Sequence, residues 1–105
     1  MISIKGTERF EYTETITNGA TSELIYAHRD QSNSGNITCT LIAGANTGKF
    51  QVSTSSKASI IAGSAIWTDW AEGDSTGTVS DVLLGSVTGI RGVSVSGEVT
   101  IEVVV

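Results

Sequence analysis

The chain has 105 residues and a formal net charge of −5, which allows one hydrophobic core and disfavours a nucleic-acid partner, because phosphate binding needs clustered lysine or arginine. Its six cations, Lys5, Arg9, Arg29, Lys49, Lys57 and Arg91, are scattered. The single cysteine, Cys39, excludes an intramolecular disulfide. No apolar run approaches the ~20 residues of a membrane helix, and the opening MISIKGTERF lacks the apolar centre of a leader, so a soluble protein made without a cleaved leader is expected.

Valine, isoleucine and threonine make up 35 of the 105 residues. Branching at Cβ restricts χ1 and suits a pleated strand, so the composition predicts β structure, with 12 glycines and no proline to turn the chain. Residues 2–16 alternate, with Phe10, Tyr12 and Ile16 on one side, and predict a first strand broken at Gly6. Asn18-Gly19 is a turn signal, since both residues tolerate positive φ. Residues 22–29, SELIYAHR, predict a strand, and the polar QSNSGN of 31–36 a turn.

In NITCTLIAG the side chains of Ile37, Cys39 and Leu41 share a face, and Ala43–Gly48 is expected to turn the chain. Residues 49–54 then set Phe50 and Val52 against Lys49, Gln51 and Ser53, the pattern of a half-buried strand. ASIIAG reads as a short strand or connection, AIWTDW as another, and AEGDSTGT as a loop. The chain closes on VTGIRGVSV and EVTIEVVV, joined by a turn at Ser96-Gly97, with Val99, Ile101, Val103 and Val105 pointing one way. The whole predicts one domain, residues 1–105, an antiparallel β-sandwich of seven to nine short strands in jelly-roll-like or immunoglobulin-like order.

Chemistry is thin. The only histidine stands in His28-Arg29-Asp30, but neighbours in a strand face opposite ways and no G-x-S-x-G elbow presents any of the 14 serines. Asp69, Glu72 and Asp74 lie close in DWAEGDSTG without the spacing of a calcium loop, and a solvated turn explains them. Glu8, Glu11 and Glu14 are spaced by three, which in a strand sets Glu11 across from the others. The sequon Asn36-Ile37-Thr38 means little without a leader, and Cys39 in an apolar strand reads as an inert buried thiol. Trp67 and Trp70, with Tyr12 and Tyr26, could stack on a sugar. Three apart in a strand, however, the tryptophans face opposite sides, one to the core and one towards an interface. No catalytic residue, cofactor or metal ligand is expected, and the enzyme class is set aside.

Ala62–Val105 carries a tryptophan segment, a G-x-x-[ST] turn, the block Leu84-Gly85-Ser86-Val87-Thr88-Gly89-Ile90-Arg91 and the turn at Ser96-Gly97. In these features it resembles the C-terminal part of small bacteriophage virion proteins, whereas residues 1–57 share only the strand pattern. The resemblance implies a β-sandwich module of the particle located in the virion: a capsid decoration (cement) subunit, forming a homo-oligomer, with a trimer as the guess, and contacting a major capsid or other virion protein. A tail, adaptor or fibre component, or a carbohydrate- or receptor-binding module, is the alternative. Trp70, Arg91 and Tyr26 are the candidate interface residues. Burying the four inward side chains of the last strand is worth roughly 6–12 kcal/mol before chain entropy is charged. Deleting residues 102–105 should therefore abolish the cooperative melting transition, followed by circular dichroism.

Overall fold

The computed structural model describes residues 2–4, 9–26, 37–83 and 87–104. Strands β1 (Ile2–Ile4), β2 (Arg9–Ile16), β3 (Ile25–Tyr26) and β4 (Ile37–Ser53) are followed by one helix, α1 (Lys57–Ala62). Strands β5 (Thr68–Asp69), β6 (Ser75–Leu83), β7 (Gly89–Ser96) and β8 (Val99–Val104) complete the order. Every pairing is antiparallel. The strands join one sheet, in the order β1-β2-β8-β4-β7-β3 with β5 and β6 paired to β4, and it curls into a half-barrel. The expectation of an antiparallel all-β chain holds; β4, at 17 residues, is not one of the short strands expected.

The registers show how so few residues enclose a core. β8 lies along the first part of β4, from Thr38↔Val104 to Ile42↔Thr100, and β7 along the second, from Thr47↔Ser96 to Ser53↔Gly89. The chain from 89 to 104 therefore runs past β4 in one direction, and Ser96-Gly97 is a kink within that run where a hairpin reversal was expected. The same holds one strand further out. β2 follows β8 from Glu11↔Val104 to Ile16↔Val99, and after the Asn18-Gly19 turn the chain meets β7 at Thr21↔Val93 and Ile25↔Ile90. On the other edge of β4, β5 pairs at Gln51↔Asp69 and β6 from Gly48↔Ser75 to Ile37↔Leu83. Four long courses of chain thus bend at one level.

Along that level sit glycines with positive φ: Gly19 (74°), Gly44 (60°), Gly77 (72°), paired with Gly44, and Gly97 (74°). Register shifts in β4 fall at the same place, between Ile42 and Gly48. They correct the expectation that Ala43–Gly48 turns the chain, since this stretch is the bulged middle of a continuous strand. The shift changes which residues face inward. Ile37, Cys39, Leu41 and Ala43 are buried before it, Gly48 and Phe50 after it. Because side chains alternate with period two, an inserted residue keeps one face of the sheet inward on both sides of the bend.

The bend lets the inner faces of the two halves meet. Ile16, Ile37, Cys39, Leu41, Phe50, Ile90, Val99, Ile101 and Val103 are all at most 2% exposed and form one core with Ile25 and Trp70. Ile37, Cys39 and Leu41 share the predicted face, as do Val99, Ile101 and Val103. Cys39 is the buried thiol expected, and burial, with Asp81 nearby, pushes its pKa up to about 12. Ser53, expected on the polar side of β4, is instead 1% exposed, and its hydroxyl accepts from Ser55 N at 3.1 Å.

ASIIAG is helical where a strand or connection was expected. Ser56 caps α1, its hydroxyl accepting from Ser59 N at 3.1 Å, and Gly63 ends it in the left-handed region. Of AIWTDW only Thr68–Asp69 is strand, and of SELIYAHR only Ile25–Tyr26 among the described residues. The predictions for Gly6, His28-Arg29-Asp30, the 31–36 turn, Asn36, Leu84–Ser86 and Val105 lie outside the described residues.

The halves approach closely at Gly92. A Cβ there would stand 2.8 Å from Ile101 Cγ2 and 2.9 Å from Ile16 Cδ1. Overpacking of this kind costs about 1–3 kcal/mol. Gly92→Ala should therefore lower Tm by roughly 5–20 °C in thermal melts, at about 4–8 °C per kcal/mol for a domain near this size; an unchanged Tm would mean that the halves are not in contact there.

Candidate functional site

The outer face of the second half of the sheet collects the side chains with most to offer a partner. In β7 the residues that face away from the core are Gly89, Arg91 and Val93, and Tyr26 of β3 pairs with Gly89. The missing side chain at Gly89 makes a seat: a Cβ there would lie 3.0 Å from Ile60 Cδ1 and 3.4 Å from Trp67 Cη2. α1 and the Trp67 segment settle into that seat, and Ile60 becomes 6% exposed outside the main core.

Trp67 then meets Arg91, whose guanidinium carbon lies 4.1 Å from the indole ring centroid. Such stacking is worth about 0.5–1 kcal/mol at exposed sites and more when desolvated. Lys57, at the start of α1, places its ammonium 4.8 Å from the centre of the Tyr26 ring. Two of the three candidate interface residues, Arg91 and Tyr26, are thereby brought to one face.

The third is not. Trp70 is 3% exposed, packs edge-on against Phe50 with ring centroids 4.8 Å apart, and donates its indole N–H to the Gly73 carbonyl at 2.8 Å. Its place at the surface is taken by Trp67, which is half-buried. The prediction that one tryptophan is inside and one nearer the surface holds for the pair. Trp70 is the inner one because its backbone N–H donates to Phe50 O at 2.9 Å, tying it to the far end of β4.

Beside the stacked pair runs a polar chain across three strands. Arg91 Nε donates to Gln51 Oε1 at 2.9 Å, Gln51 Nε2 donates to Asp69 Oδ1 at 3.1 Å, and Lys49 Nζ donates to Asp69 Oδ2 at 3.2 Å. Lys49 also lies 3.8 Å from Asp74. Two acids of the 69–74 loop are thus turned towards one lysine, and among the described residues no three acidic, histidine or cysteine side chains converge as a metal site. Gln51 and Lys49 hold the Asp69 carboxyl below its ordinary range.

Between α1 and β7 opens a cleft of about 380 Å³, bordered by Thr21, Leu24, Ile60, Ala65, Trp67 and Arg91. It lies at the small end of the ~300–1,000 Å³ typical of ligand clefts. Sequence reasoning named Trp70 in place of Trp67 for the interface and missed Gln51 and α1 as parts of this face. The helix did leave a signal, Ser56 before and Gly63 after a six-residue run, which is the cap pattern of a helix. The pairing of Gln51 with Arg91 left none, because it depends on the register of β4 against β7.

No protein-family model matches this chain, and no curated protein matches it.

A carboxylate whose pKa is lowered by folding stabilises the fold above its unfolded pKa and loses that contribution as the pH falls through the folded value. For Asp69 that window lies below about pH 4, because its ordinary value is 3.8. Asp69→Asn should leave a shallower dependence of Tm on pH below pH 4, measured against the parent in parallel melts; parallel curves would show that the Gln51 and Lys49 bonds do not persist in solution.

Proposed function

We propose that the chain is a structural subunit of a bacteriophage particle, a capsid decoration protein that stabilises the head through protein–protein contacts and acts as a homo-oligomer. In this reading the folded sheet is a β-sandwich module whose two halves serve as its layers, one of them carrying the docking surface.

The observation that carries the reading is the outer face of the first half of the sheet. Three cross-strand rows run over β2, β8, β4 and β6: Thr15, Thr100, Ile42, Thr78; then Thr13, Glu102, Thr40, Ser80; then Glu11, Val104, Thr38, Val82. With strands about 4.8 Å apart and alternate residues about 6.8 Å apart, the grid measures about 14 Å on each side. Its side chains are short or β-branched apart from two glutamates. Ile42 and Val82 are 45% and 47% exposed.

Hydroxyls partner each other across it, Thr15 with Thr100 at 3.2 Å and Thr40 with Ser80 at 2.8 Å, so little flexible side chain would have to be ordered on docking. The hydrogen bond that a protonated Glu102 carboxyl donates to the Glu11 carboxylate raises the Glu102 pKa and eases protonation of the acidic pair on the grid. A stable interface takes about 800 Å² per partner, so the grid is suited to be its centre and the surrounding rim must supply the rest.

The resemblance in Ala62–Val105 supports the same reading. Its described positions have packing duties, Ile90 at 0% exposure in the core and Gly89 as the seat for Ile60 and Trp67.

Sedimentation velocity of the purified chain, together with immunoblotting of purified particles of the phage that encodes it, tests the proposal. An oligomer, a trimer of 10.9 kDa chains on our expectation, should be found on heads. Ile42→Lys with Val82→Lys should dissociate it without lowering Tm by more than a few degrees. A strict monomer absent from the particle would end the proposal, and presence on tails alone would move the subunit to a tail or adaptor role.

A further inference from the structure

The cleft between α1 and β7 has features the docking grid lacks. Arg91 is fixed in two ways, by its Nε bond to the neutral Gln51 Oε1 at 2.9 Å and by stacking on Trp67 at 4.1 Å. Together these set the plane of the guanidinium, and Arg91 lines the cleft. Among the described residues the ion pairs within 4 Å are both made by Lys49, which takes Asp69 and Asp74. A rigid planar fork that no carboxylate among the described residues occupies, in a chain of net charge −5, is suited to bind one in a bidentate manner.

The rest of the cleft selects what carries the acid. Leu24, Ile60 and Ala65 supply an apolar wall, and Thr21 a hydroxyl at the rim. Leu24 is 39% exposed, so apolar surface there stands open to water and its burial against a ligand is favourable. Of the other cations of this face, Lys49 takes Asp69 and Asp74 and Lys57 lies over Tyr26, which leaves Arg91 as the cation lining the cleft. A dianion such as a phosphate monoester would be undercompensated in such a place, whereas a monoanion with an aliphatic body matches both halves of the lining.

We propose that this cleft binds a monoanionic carboxylate carried on a short apolar body, with Arg91 gripping the carboxylate and Leu24, Ile60 and Ala65 covering the apolar part. The site is independent of the virion reading, since it uses the opposite half of the sheet from the docking grid. The carboxylate can come from a free acid or from an acidic side chain in a peptide, and the two are separable.

The test is an NMR titration of the full chain with hexanoate, following the Trp67 indole N–H and the Arg91 Nε–H, with hexan-1-ol as the uncharged match. Hexanoate should shift both signals saturably, and hexanol should bind at least tenfold more weakly. Arg91→Gln should abolish saturation, and Arg91→Lys, which keeps the charge and loses the fork, should weaken binding severalfold. Ala65→Phe fills the cleft with Arg91 untouched and should weaken binding at least tenfold, which covers the case in which Arg91 variants fail to fold.

A parallel titration with the peptide acetyl-Leu-Glu-Leu-amide assigns the source. Tighter binding than hexanoate points to a polypeptide ligand and weaker binding to a free acid, either upholding the site. Equal affinity for hexanoate and hexanol, full hexanoate binding by folded Arg91→Gln or Ala65→Phe, or the absence of saturable shifts would overturn it.

Discussion

β4 is hydrogen-bonded along both edges, with β6 and β8 flanking its first part and β5 and β7 its second. A strand committed on both sides cannot bend alone: its neighbours must bend at the same level or the ladder between them breaks. Each neighbouring course accordingly carries its own irregularity there, marked by Gly19, Gly77 and Gly97 beside Gly44 of β4. Side chains bridge the bend. Gly97 N donates to Asn18 Oδ1 at 2.8 Å, Asn46 Nδ2 to Glu98 O at 2.9 Å, and Gly19 N to Ser94 Oγ at 3.2 Å. These bonds satisfy backbone groups that the interrupted ladders leave open. Gly97 is doubly constrained, since its φ is positive and a Cβ would collide with the Asn46 side chain.

The bend divides the molecule's chemistry as well as its geometry. Inner faces close on each other and carry the apolar residues, so polar side chains are displaced to the two outer faces. Those faces differ because, among the described residues, one is covered and the other is not. α1 and the Trp67 segment lie over the second half, where Gly89 admits them, and their presence partly desolvates Arg91 and lowers its pKa. Among the described residues no element lies over the first half, which is tiled by short hydroxyl and branched aliphatic side chains. A flat face for packing and a walled cleft with one fixed cation are thus consequences of where one helix sits.

Individual residues show how much of this could be read beforehand. The alternation at Ile37, Cys39 and Leu41 located a buried face because period two is a local property of any strand. Trp67 and Trp70 could be split between inside and outside on the same grounds, but which was which depended on Phe50 and Gly73 reaching Trp70. Arg91 and Tyr26 stood out in the sequence for their chemistry. That they share a face with Trp67 follows from β3 and β5 lying on opposite sides of the β4–β7 pair.

The amino-acid sequence by itself determined the all-β class, the inward residues of the central and last strands, and the glycines at which regular extension stops, since all three are set by local sterics and side-chain alternation. Tertiary structure alone decided what those stops mean. At Ala43–Gly48 and Ser96-Gly97 the local signal for a reversal and for a bulge is the same, a flexible residue with positive φ. Only hydrogen bonding to strands distant in sequence, Thr38 to Val104 and Ser53 to Gly89, carries the chain onward through each bend. That long-range pairing folds one sheet over its own core and sets the polar side chains on its two outer faces.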